Sequence, residues 1–583
     1  MIDKKQILCM GGIALLALIA YANTINVPFL LDDIPYLVEN STIRKLVPSL
    51  VDYQHGGPTR LDIRPVADLT FRLNYQISQF APWSYHLVNL LIHAANGCLL
   101  FLLAQGLLLL RDSRAAVGED VATALAAVTA AIWVVHPLQV NAVTYIIQRW
   151  ESLSAFFFLA GLYAFLRWRK GGGENWKWIC LGSAYCAIGS KESAASLPVA
   201  IFLLDRYILS RDRKEMAARW KFYAVLAGSW ISLAALVLLS YRRGWTAAEG
   251  TSLLSFEYFK IQTQAIWHYL RLLVWPQPLI FDYGYWPVVR WYQWMSSALV
   301  LLGLFSSSLF LVVRRSLTGY AGALVFLLLA VSSSFIAIPT VPAAEYRMYL
   351  PSAAVLGLLV VGGYTFLSRS FPPPRFSRDK LHKYLIFGSA VLIVVLLGVT
   401  LRRNHDFRSS VSIWVDNTRK RPLHPGSYLG LADAVMQAGG LKDADGIITQ
   451  AREKFPENAR MLYLAGMIKV QMKDSAEAET LWKRALELKP DSHEVLNSLG
   501  ILYIDRQKMD LARPLFEELV RLRPYDVLAL GNAAQLCLVT RDFKAADAFV
   551  RRGLALSPND PVFKQTAALL EKAQWQNESS DPK

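Results

Sequence analysis

Apolar runs long enough to cross a bilayer recur through about the first 400 residues, and this limits the chain more than any other feature. Ile7 to Ile19, Leu87 to Leu110 and Tyr384 to Leu401 contain no Asp, Glu, Lys or Arg. A helix rises about 1.5 Å per residue, so roughly 20 apolar residues cross a hydrocarbon core of about 30 Å. With 54% hydrophobic and 18% charged residues in the 583-residue chain, the length does not read as a string of soluble domains. About eleven spans are expected, near 7–23, 87–110, 121–136, 152–167, 176–190, 194–209, 221–240, 295–313, 320–338, 351–367 and 384–401. Lys4 and Lys5 before an apolar run, with Ala20-Tyr21-Ala22 after it, resemble a signal peptide. A retained first span is the preferred reading, because many spans follow it.

The net charge of +16 does not point to nucleic acid, since the basic residues cluster in short segments between spans. Lys4/Lys5, Arg111/Arg114, Arg167/Arg169/Lys170, Arg211/Arg213/Lys214/Arg219, Arg314/Arg315 and Arg369/Arg375/Arg378/Lys380 fall on one side. By the positive-inside rule that side is the cytoplasm, with Arg242/Arg243 and Arg402/Arg403 as exceptions. Segments 24–85, 136–151, 190–193, 241–294 and 338–352, and everything after 402, then lie outside. Segment 257–276 reads as a re-entrant or interfacial helix, because counting it as a span inverts the loops that follow. Cys9, Cys98, Cys180, Cys186 and Cys537 show neither metal spacing nor a disulfide framework.

The last quarter is of a different kind. Pro422, Pro456, Pro490, Pro524 and Pro558 are each 34 residues apart, the period of the tetratricopeptide repeat (TPR), where proline closes a helical pair. Leu462, Gly466, Ala478, Trp482 and Ala485 take the expected places in one repeat; Leu496, Gly500, Tyr503, Ala512 and Phe516 do so in the next. The fold class is therefore all-α, a polytopic membrane domain followed by a TPR α-solenoid. The expected organisation is a membrane domain at 1–403, a linker at 404–424, repeats at 425–458, 459–492, 493–526 and 527–560 with a capping helix to 574, and a polar tail at 575–583.

Ionisable residues gather in the outside loops. Asp32 and Asp33 follow the first span and Arg64-Pro65 lies in the same loop. His86 and His93, His136 with Gln148 and Arg149, Lys191 and Glu192, and Glu345 with Arg347 and Tyr349 sit at later membrane edges. One such group is more often a satisfied packing residue, and an acidic pair more often caps a helix. Five clusters on one side of the membrane favour a shared cavity, since polar groups at that depth are costly.

The order Phe29-Leu-Leu-Asp32-Asp33, Arg64-Pro65, Tyr85-His-Leu-Val-Asn-Leu-Leu-Ile-His93, His136-Pro-Leu-Gln-Val-Asn-Ala-Val-Thr-Tyr145, Ser190-Lys-Glu192 and Ala344-Glu-Tyr-Arg-Met-Tyr-Leu-Pro351 resembles the transmembrane and TPR-containing O-mannosyltransferases and their bacterial relatives. These belong to the GT-C superfamily of membrane glycosyltransferases. The resemblance covers nearly the whole chain. It implies transfer of a sugar, mannose or another hexose, from a polyprenyl-phosphate carrier to a Ser or Thr hydroxyl of an extracytoplasmic protein. By similarity, Asp32 or Asp33 is the catalytic base. Asn141 stands where close relatives are expected to carry Glu, which removes an acidic role there.

A lipid phosphate is a good leaving group, so one carboxylate base suffices and a single displacement inverts the anomeric carbon. Arg64, Arg149, Lys191 and Arg347 are the candidate cations for the phosphate. Related GT-C oligosaccharyltransferases use a divalent metal; Asp32, Asp33 and Glu345 form the one ligand set the sequence nominates, and neither a metal nor another cofactor is expected. No P-loop or Gly-rich nucleotide fingerprint occurs, in keeping with a lipid-linked donor. The repeats are expected to recruit a protein acceptor or partner. Expected location is a bacterial inner membrane with periplasmic repeats, or the endoplasmic reticulum with lumenal ones. The alternatives are transfer to lipid A, O-antigen or another envelope glycan, and a non-catalytic TPR scaffold. A lipid-linked-sugar transporter is disfavoured, because the polar groups lie at one edge and no internal span repeat is visible.

Overall fold

The computed structural model describes residues 3–47, 64–110, 118–210, 212–242, 255–284, 286, 290–333, 341–370, 378–558 and 560–580. Arg111, Arg114, Arg211, Arg243 and Arg375 of the basic clusters lie outside them. Among the described residues all regular structure is helical, and the chain divides into two units, Met1–Lys420 and Arg421–Lys583.

The first unit contains α1 (Lys4–Tyr21), α2 (Pro65–Ser78), α3 (Pro82–Leu108), α4 (Glu119–Val135), α5 (Val140–Val143), α6 (Arg149–Arg169), α7 (Asn175–Ser190), α8 (Leu197–Leu203), α9 (Arg213–Ala217), α10 (Trp220–Arg242), α11 (Phe256–Val274), α12 (Trp291–Val313), α13 (Leu317–Leu329), α14 (Pro351–Ser370), α15 (Arg378–Asp406) and α16 (Ser410–Lys420). All eleven expected spans carry helix. Among the described residues six helices, α1, α3, α10, α12, α14 and α15, are long and apolar enough to cross a membrane, and α4 with its bent continuation makes a seventh. The protein is an integral membrane protein.

Two expected spans depart from a plain crossing, each for a local reason. The stretch 194–209 breaks into a 3-10 turn over Glu192–Ser196, α8 and a π turn over Leu204–Leu209. Its far end is fixed by the buried Asp205 carboxylate, which accepts from Arg169 Nε at 2.9 Å, Tyr223 Oη at 2.6 Å and both Nε and Nη2 of Arg219. Residues 121–136 bend by 52° at His136-Pro137, where proline lacks an N–H for the helical ladder. In 320–338, α13 stops at Leu329 and residues 334–340 are not described. The segment 257–276 forms α11, whose buried residues Tyr258, Gln262, Ile266, Tyr269 and Leu273 recur every three or four positions while Trp267 is exposed.

Polar contacts sort the helix ends into two sets. Lys5 pairs with Asp120 at 2.7 Å, Gln6 donates to Gln105 at 2.7 Å and Lys170 donates to the Gly106 carbonyl at 2.7 Å, at the end where the basic clusters lie. At the other end the C-termini of α1, α4, α7 and α15 meet the N-termini of α3, α6 and α14. Asn404 donates to the Ala20 carbonyl at 2.8 Å, Thr400 to Val135 at 2.6 Å, and Trp133 Nε1 to Tyr349 at 2.9 Å. Side chains thus satisfy helix-end carbonyls that a bilayer leaves without water.

Residues 404–420 are not a linker. α15 runs to Asp406 and α16 follows, with Ile413, Trp414 and Asn417 buried. The expected linker at 404–424 thus gives way up to Lys420, because side chains in this stretch have specific partners within the first unit.

The second unit is four helical hairpins, Pro425–Gln437 with Leu441–Lys454, Ala459–Gln471 with Ser475–Leu488, His493–Asp505 with Met509–Leu522, and Val527–Val539 with Phe543–Leu556. The last helix, Pro561–Ser580, extends past the expected 574 into the expected tail. Leu462, Ala465, Trp482, Ala485, Leu496 and Phe516 lie in one continuous core. A Cβ on Gly466 would meet the Trp482 indole at 2.2 Å, and one on Gly500 would meet Phe516 at 2.7 Å. Gly466→Ala is therefore expected to destabilise the repeats by about 1–3 kcal/mol, the range for overpacking, measured as an earlier thermal transition of the full chain.

Candidate active site

The two adjacent carboxylates differ completely in surroundings. Leu31 adopts a positive φ of 44°, a conformation that costs a branched residue about 1–3 kcal/mol. This turn sends Asp33 inward and leaves Asp32 exposed. Asp33 is fully buried; its Oδ2 accepts from Leu30 N at 2.8 Å and its Oδ1 from Ile147 N at 2.8 Å. Burial pushes its carboxyl well above the usual range, and the two backbone hydrogen bonds oppose that rise only in part. Asp33 therefore ties the first loop to the turn before α6. Asp32 is held by its backbone, its N–H donating to Tyr145 Oη at 2.8 Å.

Beside this turn lies a cationic pair. Arg64 is buried at 3% exposure and donates twice to Glu192, Nε to Oε2 at 3.0 Å and Nη2 to Oε1 at 2.7 Å. Its guanidinium stacks over Trp150, 4.0 Å from the ring centroid. Lys191 pairs with Glu151 and lies 4.8 Å from the centre of the Tyr346 ring. Burial raises the Glu192 carboxyl, but Arg64 and Lys191 outweigh it and hold the group at about 2. Trp150 links the two halves, since Tyr36, in the turn opened by Asp33, packs edge-on to it at 5.8 Å. Among the described residues, Arg64 Nη1, Trp150 Nε1 and Gln148 Oε1 are buried without a hydrogen-bond partner. Three unsatisfied polar atoms on one short stretch and its neighbour suit a polar ligand, because each costs stability when unpaired.

The remaining expected site residues are engaged in holding the helices. Arg149 is fully buried and donates to Asn89 at 2.6 Å, Asn74 at 2.6 Å, Thr70 at 3.2 Å and the Tyr85 carbonyl at 2.9 Å. Four of its five N–H groups are therefore taken by neutral acceptors on α2 and α3. His86 bonds the Val27 carbonyl at 2.8 Å. His93 bridges Tyr349 Oη at 2.7 Å and the Val134 carbonyl at 3.0 Å. His136 contacts the Leu273 carbonyl at 3.2 Å and accepts from Leu138 N. Glu345 accepts from Ile280 N at 2.5 Å and Tyr283 Oη at 3.0 Å, and burial raises its carboxyl. Arg347 donates to the Val341 and Pro342 carbonyls and to Tyr258. The structure thus brings Arg64, Lys191 and Glu192 together, while Asp33 and Glu345 are each bound to separate backbone segments. Among the described residues no three His, Cys, Asp or Glu side chains converge as a metal site. Sequence reasoning missed Tyr145, Glu151 and Trp150; Tyr145 closes the His136–Tyr145 motif and the other two directly follow Arg149, but only the fold gives their partners.

Residues 429–493, 463–527 and 497–561 match the tetratricopeptide repeat family. The chain is 27% identical over 304 residues to Protein O-mannosyl-transferase TMTC2 of Mus musculus, covering 46% of this chain and 34% of that protein. It is 25% identical over 623 residues to Protein O-mannosyl-transferase Tmtc3 of Drosophila melanogaster, covering 90% of this chain and 65% of the relative. It thus spans a third of the first relative's length and just under two thirds of the second's. The repeats are also similar to the solved structure of YrrB, a TPR protein with an unusual peptide-binding site, at a TM-score of 0.24 and 16% identity, covering 27% of this chain and 81% of YrrB. The chain resembles the transmembrane and TPR-containing O-mannosyltransferases.

Proposed function

We propose that this relative of the protein O-mannosyl-transferases is itself a membrane glycosyltransferase, moving mannose from a polyprenyl-phosphate carrier to a Ser or Thr hydroxyl of an extracytoplasmic protein. The observation that carries the reading is an exposed carboxylate, Asp32, on a turn whose Tyr36 packs against Trp150, the ring under the Arg64 guanidinium, which keeps an unsatisfied N–H and shares Glu192 with Lys191. Asp32 takes the proton from the acceptor hydroxyl as its oxygen attacks the anomeric carbon. The bond from that carbon to the phosphate oxygen breaks, and the polyprenyl phosphate leaves with both electrons. The product is inverted. Arg64 and Lys191 offset the growing phosphate charge, and Trp150 Nε1 and Gln148 offer further polar contacts.

The basic helix ends support a cytoplasmic N-terminus, with the catalytic layer and the repeats outside, in the bacterial periplasm or the lumen of the endoplasmic reticulum. Stacked helical repeats of this type generally form concave surfaces for binding other proteins, and acceptor recruitment is the role assigned to them here. Deleting residues 421–583 is expected to weaken acceptor selection about tenfold or more while leaving donor affinity within about twofold, as kcat/KM and donor KM separate these effects. Equal loss of donor binding contradicts acceptor recruitment.

The test in cells is mass spectrometry of extracytoplasmic proteins with and without the gene, and with Asp32→Asn. Loss of hexose from the same peptides in the deletion and the variant supports protein mannosylation. Unchanged peptides with an altered envelope glycolipid transfer the same chemistry to a glycan acceptor; unchanged peptides and glycolipids point to a scaffold.

A further inference from the structure

The contact that holds Asp32 is itself held from an unexpected direction. Tyr145, whose hydroxyl accepts the Asp32 N–H, is 4% exposed. Its ring packs edge-on to Phe281 at 5.5 Å. Phe281 lies between two further rings, Phe407 at 5.7 Å and Trp414 at 5.9 Å. Its backbone is fixed by Asn417, whose Oδ1 accepts from Phe281 N at 3.1 Å and Asp282 N at 3.0 Å while its Nδ2 donates to the Asp282 carbonyl at 3.0 Å. Lys420 Nζ adds a bond to the Leu279 carbonyl at 2.8 Å. Next to Tyr145, Thr144 donates to Asn404 Oδ1 at 2.9 Å. Asn404 in turn donates to the Ala20 carbonyl and to Asn23, at the end of α1 from which the Asp32 loop departs.

Two buried amides, Asn404 at 1% and Asn417 at 0% exposure, thus grip both neighbours of the catalytic turn. A buried side-chain amide paired at both ends fixes backbone geometry, because shifting it leaves polar groups unsatisfied. The chain of edge-to-face ring contacts from Trp414 through Phe281 to Tyr145 transmits that fixity to Asp32 by close packing.

We infer that the end of α15 together with α16 is a positioning strap for the catalytic turn, with Asn417, Phe281 and Tyr145 as positioning residues that set where Asp32 stands. The inference rests on the reading of Asp32 as base. It assigns a role in the active site to residues 404–420, the last residues before the repeat unit begins at Arg421.

The test uses the full-length chain in lipid nanodiscs, as wild type, Asn417→Ala and Tyr145→Phe. Tyr145→Phe keeps the ring and removes only the acceptor, so it remains informative if Asn417→Ala folds poorly. Amide exchange of peptides covering 28–36 is expected to quicken about tenfold or more in both variants, with residues 459–522 unchanged, as local opening predicts. Transfer from polyprenyl-phosphate mannose to a Ser/Thr-rich peptide is expected to lose about 10–100-fold in kcat with donor KM within about twofold. Tyr145→Phe added to Asp32→Asn is expected to cost nothing further. Unchanged exchange at 28–36, an equal effect on donor KM, or additive losses in the double variant each overturn the strap. Full activity in Asp32→Asn instead overturns the base assignment, and the exchange result then still decides whether the strap holds the loop.

Discussion

Asp32→Asn is expected to lower transfer by about 10²–10⁴-fold, the range for removing a positioned general base, with expression and donor affinity unchanged. The substitution keeps the shape of the side chain, and the backbone N–H bond to Tyr145 stays in place. Asp33→Asn is expected to behave differently. Its two oxygens accept from Leu30 N and Ile147 N, and an amide replaces one acceptor by a donor facing an N–H. That mismatch costs about 1–3 kcal/mol, so the variant loses stability first and activity only as a consequence. Comparing the two by initial rates and by thermal unfolding in the same detergent separates base from brace. Equal effects on rate and stability for both variants contradict the assignment.

The second large effect belongs to Arg64 and Glu192. Glu192→Gln leaves the buried Arg64 guanidinium without its counter-charge. For a fully buried pair that costs about 3–5 kcal/mol; the Glu192 side chain is 37% exposed, so solvent screening reduces the expected loss to roughly 1–3 kcal/mol. Arg64→Lys keeps the charge but not the two-pronged contact or the flat stacking on Trp150, and its donor KM is expected to rise about tenfold or more. The pair also predicts a pH signature. Because Glu192 is held at about 2 in the folded state, its contribution is complete above the ordinary glutamate range, about 4.3. It is lost as pH falls toward 2. Thermal stability of the wild type is expected to drop more steeply across that window than that of Glu192→Gln; parallel curves contradict the pairing.

The legible parts of this chain were those governed by periodicity. Five prolines at a fixed spacing located every repeat hairpin, and the close approach of Gly466 to Trp482 was implied by their places in that period. Hydropathy located a helix under each expected span, because composition alone decides what a bilayer accepts. It did not show which helices were interrupted, since that depends on partners such as Arg169 and Arg219 on Asp205.

The site was legible in its residues and hidden in its roles. Asp32 and Asp33 are alike in sequence, and only the turn at Leu31 separates an exposed carboxylate from a buried one. Arg149 read as a phosphate ligand because it stands at a membrane edge, yet acceptors on α2 and α3 bind four of its N–H groups. Lys191 and Glu151 are 40 residues apart, a pairing that no local pattern reveals. Residues 404–420 look like a polar tether in composition, whereas Asn404 and Asn417 act through single hydrogen bonds that hydropathy does not register.

The most direct test of the central claim is reconstitution. Purified full-length protein in nanodiscs is given polyprenyl-phosphate mannose and a Ser/Thr-rich extracytoplasmic protein, and peptide hexose is counted by mass spectrometry for wild type and Asp32→Asn. The account predicts α-linked product from a β-linked donor, or the converse, at Ser or Thr in the wild type and almost none in the variant. Hexose transfer of equal extent by both proteins, or no transfer to protein by either under conditions where the donor is bound, contradicts it.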